Sequence, residues 1–235
     1  MLDIAFIWLL LSHLTVVFPC YLGFQENREK WHHIIISLIF TSFFSTIYHL
    51  VDLPNIEKEG FIFLGLPHKV YKGIDYFGSY FSIFIIMLSV IHPKIISKYF
   101  SILLVFVSFF SCFFSIHIVT WYYFIFFLLF FSLVYSYISK ETSPYYIIKS
   151  FYRFRLYSSL GFLTLFLSIC MQYYFALYYD IPNYPIYHGF WHFFMFLSSG
   201  FWIKWNNQLI NYQRNLENRL RTYSDSELRS YSNSE

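Results

Sequence analysis

From Tyr99 to Ile138 the chain runs for about 40 residues without a formally charged side chain, and few folds can take up such a run. As one helix, at 1.5 Å per residue, it would be roughly 60 Å long, twice the roughly 30 Å hydrocarbon core of a bilayer. It therefore has to fold back as two crossings, with a turn expected near Ser115-Ile116-His117. Five more stretches are apolar over the length one crossing needs: Ile4–Gly23, Trp31–Leu50, Ile74–Ile91, Leu156–Tyr178 and His188–Trp205. Polar or proline-containing breaks separate them, among them Gln25-Glu26-Asn27-Arg28-Glu29-Lys30, Asp52 with Pro54, Pro93, and Asp180-Ile181-Pro182-Asn183-Tyr184-Pro185. The expected architecture is all-α, a polytopic membrane protein with a seven-transmembrane helix bundle over residues 1–205 and a polar cytoplasmic tail over 206–235. The first span is expected to remain as a helix instead of being cleaved as a signal peptide, because it carries Asp3 where a signal sequence carries a basic flank.

Composition agrees with a lipid-embedded chain. Charged residues are 12% of the total, against roughly 25% in soluble domains, and 57% are apolar. A water-solvated surface cannot be built from that supply. The net charge of +3, with no Lys/Arg-rich block, argues against nucleic-acid binding. Cys20, Cys112 and Cys170 are too scattered for a disulfide framework or a cysteine-based metal site.

The basic residues orient the bundle. With seven crossings, Arg28, Lys30, Lys94, Lys98, Lys140, Lys149, Arg153, Arg155, Lys204, Arg214, Arg219, Arg221 and Arg229 fall on one side, and only Lys58, Lys69 and Lys72 on the other. Short loops rich in Lys and Arg stay in the cytoplasm. The N-terminus is thus expected to be extracellular or lumenal and the C-terminus cytoplasmic, in the plasma membrane or an endomembrane.

An ionisable side chain at membrane depth costs roughly 2.5–3.5 kcal/mol on insertion scales, so each one needs a partner or a task. Ser45 and His49 share one face near the end of the second span, and His188 and His192 share one face at the start of the seventh, both pairs being four residues apart. Asp75 stands at the start of the third. His49 lies roughly 27 Å up a span that rises from the cytoplasmic side, so all five residues reach one depth, near the outer or lumenal face. Three imidazoles that converge with an open fourth position describe a catalytic zinc site, Zn2+ being the expected cofactor. Zinc would make a bound water acidic enough to attack an amide or ester, with two catalytic groups beside it: Asp75 to orient or deprotonate that water, and Ser45 to supply a hydrogen bond to the water or to the developing oxyanion. Asp52, three residues after His49, either fixes an imidazole or caps the helix at the interface. His13, midway through the first span, either lines the interior or bonds to neighbouring backbone.

The motifs Tyr48-His49-Leu50-Val51-Asp52, Asp75-Tyr76-Phe77-Gly78-Ser79 and Tyr187-His188-Gly189-Phe190-Trp191-His192 resemble the signature segments of the transmembrane protein 8/myomaker family. That family lies within the seven-span superfamily that also holds alkaline ceramidases and adiponectin receptors. The resemblance implies zinc on His49, His188 and His192, with Asp75 and Ser45 beside it. It also implies membrane lipids as partners, and either of two functions: metal-dependent hydrolysis of a lipid amide or ester, or non-enzymatic membrane remodelling and cell fusion with zinc as a structural tie. No cysteine follows Cys170, so the lipidated cysteine-rich tail of vertebrate myomakers is not expected. A receptor or ion-conducting protein would string charged groups along a pathway through the bilayer, whereas these cluster at one depth.

Overall fold

Pro19 has no backbone N–H, and its ring crowds the carbonyl four residues before it, so a regular helix cannot pass through this point unchanged. The computed structural model describes residues 4–25, 29–51, 62–63, 66–67, 71, 75, 144–177 and 184–232, and the first span shows this effect directly. Helix α1 (Ile4–Ser12) tightens into a 3-10 turn at His13–Val16 before resuming as α2 (Val17–Gln25). The other described helices are α3 (Glu29–Val51), α4 (Pro144–Arg153), α5 (Arg155–Leu177) and α6 (Tyr184–Ser232). A two-residue antiparallel pairing joins β1 (Ile62–Phe63) to β2 (Leu66–Pro67), with Ile62 opposite Pro67. The described part of the chain is therefore helical apart from this one short pairing.

Helix α6 is the centre of the arrangement. It packs along α5 on one side and against α1, the 3-10 turn and α2 on another, while α3 packs on the first span. The first, second, sixth and seventh expected spans thus correspond to helices. The third to fifth, with the uncharged run between Tyr99 and Ile138, lie outside the described residues. Two helical stretches, Ile4–Gln25 and Arg155–Tyr173, are long and apolar enough to cross a membrane, and α3 carries a shorter apolar stretch, Ile34–Leu50. The polar residues that α3 buries, among them Ser37, Thr41, Ser42, Ser45 and His49, dilute its apolar character.

These helices expose long apolar stripes while burying several hydroxyls and a histidine. Ile4, Ile7, Leu11, Leu14, Val17, Tyr21 and Phe24 form an exposed apolar stripe along the whole first span, while Ser12 and His13 are buried. In α5 the exposed face holds Leu156, Phe162, Leu163, Phe166 and Ile169, and the buried face holds Ser158, Thr164 and Ser168. Apolar surface of this extent, rimmed by few charges, is suited to contact with hydrocarbon.

Small residues set the closest approach of α5 to α6, as expected where packing and not hydrophobic exclusion drives association. A Cβ built on Gly161 would stand 2.9 Å from Cε2 of Trp202, and Ser198 Oγ donates to the Gly161 carbonyl at 3.0 Å. Helix α6 continues through residue 206 without a break, and Asn206, Asn207 and Leu209 are buried. There α4 docks on it: Phe151 stacks on Trp205 with ring centroids 4.8 Å apart, and the Arg153 guanidinium lies 3.9 Å over the ring of Tyr212. Beyond this contact Arg214, Arg219 and Arg221 are exposed.

Gly161→Ala is expected to push Trp202 off α5 and to destabilise the helix pair by about 1–3 kcal/mol. Thermal unfolding of the purified chain in detergent checks this; an unchanged midpoint would mean that the seam has slack.

Candidate metal centre

Ser45 and His49 lie on the inner face of α3, and His188 and His192 lie one turn apart at the start of α6, where Pro185 occupies the first turn that tolerates a missing N–H. Trp8 Nε1 donates to the Ile186 carbonyl at 3.2 Å, tying α1 to this end of α6. The helices bring the expected residues together. His49, Asp75, His188 and His192 are all buried, and one ligand-capable atom from each lies within 4.8 Å of all the others. His192 Nε2 is 2.9 Å from His188 Nε2 and 3.3 Å from His49 Nε2. The Asp75 carboxylate reaches 3.9 Å from the Nε2 atom of each of the three histidines.

This crowding has a chemical meaning. An imidazole nitrogen offers either one hydrogen or one lone pair, yet His192 Nε2 faces His188, His49 and Ser45 Oγ, the last at 3.3 Å. One hydrogen bond cannot serve three such neighbours. A cation placed among the nitrogens can, since each then points its lone pair at the same positive centre. With metal–nitrogen bonds of 2.0–2.1 Å, tetrahedral ligands stand about 3.3 Å apart, which is the His49–His192 spacing and close to the His188–His192 one. The donor set, three neutral imidazoles and one carboxylate, suits a transition metal such as zinc better than calcium or magnesium, which prefer all-oxygen shells. These four residues could therefore hold a metal ion.

The surroundings are aromatic. Trp191 lies with ring centroids 5.0 Å from His188 and 4.5 Å from His192, and Tyr48 lies 4.7 Å from His49. Tyr48, Tyr71 and Trp191 are buried. Such a wall limits bulk water and strengthens any charge interaction inside it.

His13 belongs to this centre. Its Nδ1 is 2.9 Å from the Leu9 carbonyl, and its Nε2 is 2.6 Å from Ser45 Oγ. Its ring centroid is 4.2 Å from that of His192. Both sequence-level alternatives thus hold at once, one nitrogen bonding to backbone and the other facing the interior. The signal was a histidine buried mid-span; its facing depends on the 3-10 turn, whose bond pattern helical periodicity does not describe. Asp52 lies outside the described residues, as do His68, His92 and His117.

Comparison of the chain with protein-family models, with characterised proteins and with solved structures finds no match, so the resemblance drawn above rests on the short motifs alone.

His49→Ala and His188→Ala are each expected to reduce the zinc retained by the purified chain from about one equivalent toward none, because a three-imidazole site loses a ligand outright. Elemental analysis after dialysis against a weak chelator is the measurement. Full retention in both variants would exclude these histidines as ligands.

Proposed function

We propose that the chain is a seven-span membrane protein of the transmembrane protein 8/myomaker type and acts as a zinc-dependent hydrolase on an amide or ester bond of a membrane lipid. The observation that carries this reading is the convergence of three buried histidine Nε2 atoms and the Asp75 carboxylate on one point. The exposed apolar stripes of the first span and α5 support placement in lipid, and the basic-residue asymmetry supports an N-terminus outside or in a lumen.

His49, His188 and His192 would hold the ion. Zinc, when bound, supplies a Lewis acid that acidifies water and polarises a carbonyl. The chain's own groups do the rest. Asp75, 3.9 Å from each histidine nitrogen, would orient a water and accept its proton at a carboxylate oxygen. Trp191 and Tyr48, packed against the histidines, would keep bulk water away, so that charge developing at the centre is not screened. Helix α6 fixes two of the imidazoles on one rigid face, and α3 brings the third, which limits reorganisation during a reaction.

A second reading, membrane remodelling or fusion without catalysis, is favoured by one specific feature: Asp75 completes a set of four donors within 4.8 Å. Structural zinc sites close their shell with four protein ligands, and catalytic ones leave a position open. Lipid turnover separates the two readings.

In Asp75→Asn, helical content and the unfolding midpoint are expected to remain while lipid hydrolysis falls by about 100-fold or more, in line with loss of a general base. Lipid profiles of cells carrying the wild-type chain, Asp75→Asn or His192→Ala supply the readout. A lyso-lipid or sphingoid pool that changes with the wild type alone supports the enzyme; unchanged pools with altered cell–cell contact support the tie. Epitope tags at the two chain ends are expected on opposite sides of the bilayer, and tags on the same side would reject an odd number of crossings.

A further inference from the structure

Hydroxyl groups on membrane helices commonly donate to a carbonyl one turn back in their own helix. Two neighbours of Ser45 do this: Thr41 donates to the Ser37 carbonyl at 2.8 Å and Thr46 to the Ser42 carbonyl at 2.7 Å. Ser45 instead reaches off α3, with its Oγ 2.6 Å from His13 Nε2 and 3.3 Å from His192 Nε2.

The direction of the first of these bonds follows from the other side of the His13 ring. Nδ1 lies 2.9 Å from the Leu9 carbonyl, and a carbonyl can only accept, so Nδ1 carries the hydrogen of the neutral ring. Nε2 is then left with a lone pair and must be the acceptor. Ser45 has a single hydrogen. With that hydrogen committed to His13, its oxygen turns lone pairs, and no donor, toward His192 and the centre of the cluster. The 3-10 turn holds this geometry, since Ser42 Oγ donates to the His13 carbonyl at 3.2 Å and fixes the turn against α3.

We infer that His13 is a positioning residue that sets the polarity of Ser45, making its hydroxyl a hydrogen-bond acceptor toward the metal centre. Ser45 is thereby suited to receive a hydrogen from a water held at the centre or to bring its oxygen toward a cation there. It is not suited to donate to an oxyanion, the role that the bare Ser-x3-His spacing had suggested. The consequence for a bound ion rests on the metal reading above; the direction of the hydrogen bond does not.

Two measurements on the full chain in detergent test the assignment. With histidine labelled in 15N and no metal added, the His13 Nε2 resonance, identified by its loss in His13→Phe, is expected where an unprotonated nitrogen accepting a hydrogen bond resonates, and it is expected to move in Ser45→Ala. A hydrogen found on Nε2 overturns the proposal. Cobalt alone, substituted for zinc, reads the consequence through its visible absorption. His13→Phe, which keeps an aromatic ring but offers no acceptor, and Ser45→Ala are expected to alter the cobalt bands in the same way and to weaken cobalt binding by about tenfold, the low end of effects from outer-shell partners. The double variant is expected to be no worse than either single one, since both remove the same interaction. A wild-type spectrum in His13→Phe, or losses that add in the double variant, overturns it. Failure of the wild-type chain to take up cobalt would instead reject the metal reading, and the nitrogen resonance would still decide the bond direction.

Discussion

Three imidazole nitrogens and a carboxylate gathered at one buried point form a donor set that a single cation could bind. His192 Nε2 stands within 3.3 Å of His188, His49 and Ser45 at once, and His188, His192 and Asp75 are 0% exposed. Burying polar groups is costly unless they are satisfied, and a cation shared among these four residues is one partner that would satisfy all of them together. Among the described elements, α3, the 3-10 turn and α6 meet at this cluster. α3 lies on the first span, and Ser45 and His49 reach from it to His192 on α6. An ion at this point would therefore link helices far apart in sequence, and its binding energy would become folding energy.

The exposed apolar stripes of the helices are the other half of the same arrangement. Ile36, Ile39 and Phe43 are exposed on α3, while Ser37, Thr41, Ser42, Ser45 and His49 are buried on the opposite face. Ile34, Ile35, Leu38, Ile47 and Tyr48 are buried too, so the covered side of α3 mixes apolar and polar groups. In hydrocarbon the same pattern satisfies both faces, because lipid covers the apolar side and hydroxyls on the inner side find carbonyls, as in the bonds of Thr41 and Thr46. The polar interior and the helix's modest apolarity are thus one property.

Much of the centre was legible in the sequence because it rests on two robust regularities, helix periodicity and helix length. Four-residue spacing puts Ser45 with His49 and His188 with His192 whatever the neighbouring helices do, and the structure brings the two pairs into contact. Helix extents were equally readable: the apolar stretch at Trp31–Leu50 became α3 at Glu29–Val51, and that at Leu156–Tyr178 became α5 at Arg155–Leu177. His13 resisted the same treatment. Its direction is set by a local departure from helical geometry near Pro19 and by a contact with Ser45, 32 positions away in sequence, and neither has a periodic signature. Nor did polarity reveal how far α6 continues, since the Asn-rich segment after Trp205 reads as solvated whereas Asn206 and Asn207 are buried.

The division of labour between the helices bears on what kind of centre this is. Two histidines sit on α6, whose register is locked from both sides by Trp8 on Ile186 and by Gly161 against Trp202. The third sits on α3, and the His13 that orients Ser45 sits in a 3-10 turn, a tighter and weaker form of helix. The first span packs directly on α6, with Gly189 against Trp8 and Gly200 against Phe18, while α3 reaches α6 through the bonds of Ser45 and His49 to His192. A purely structural tie would gain little from a serine held as an acceptor beside it. A centre that handles a water would gain directly, because a lone pair of fixed direction orients the incoming O–H bond before any charge develops, which is the preorganisation on which electrostatic catalysis depends.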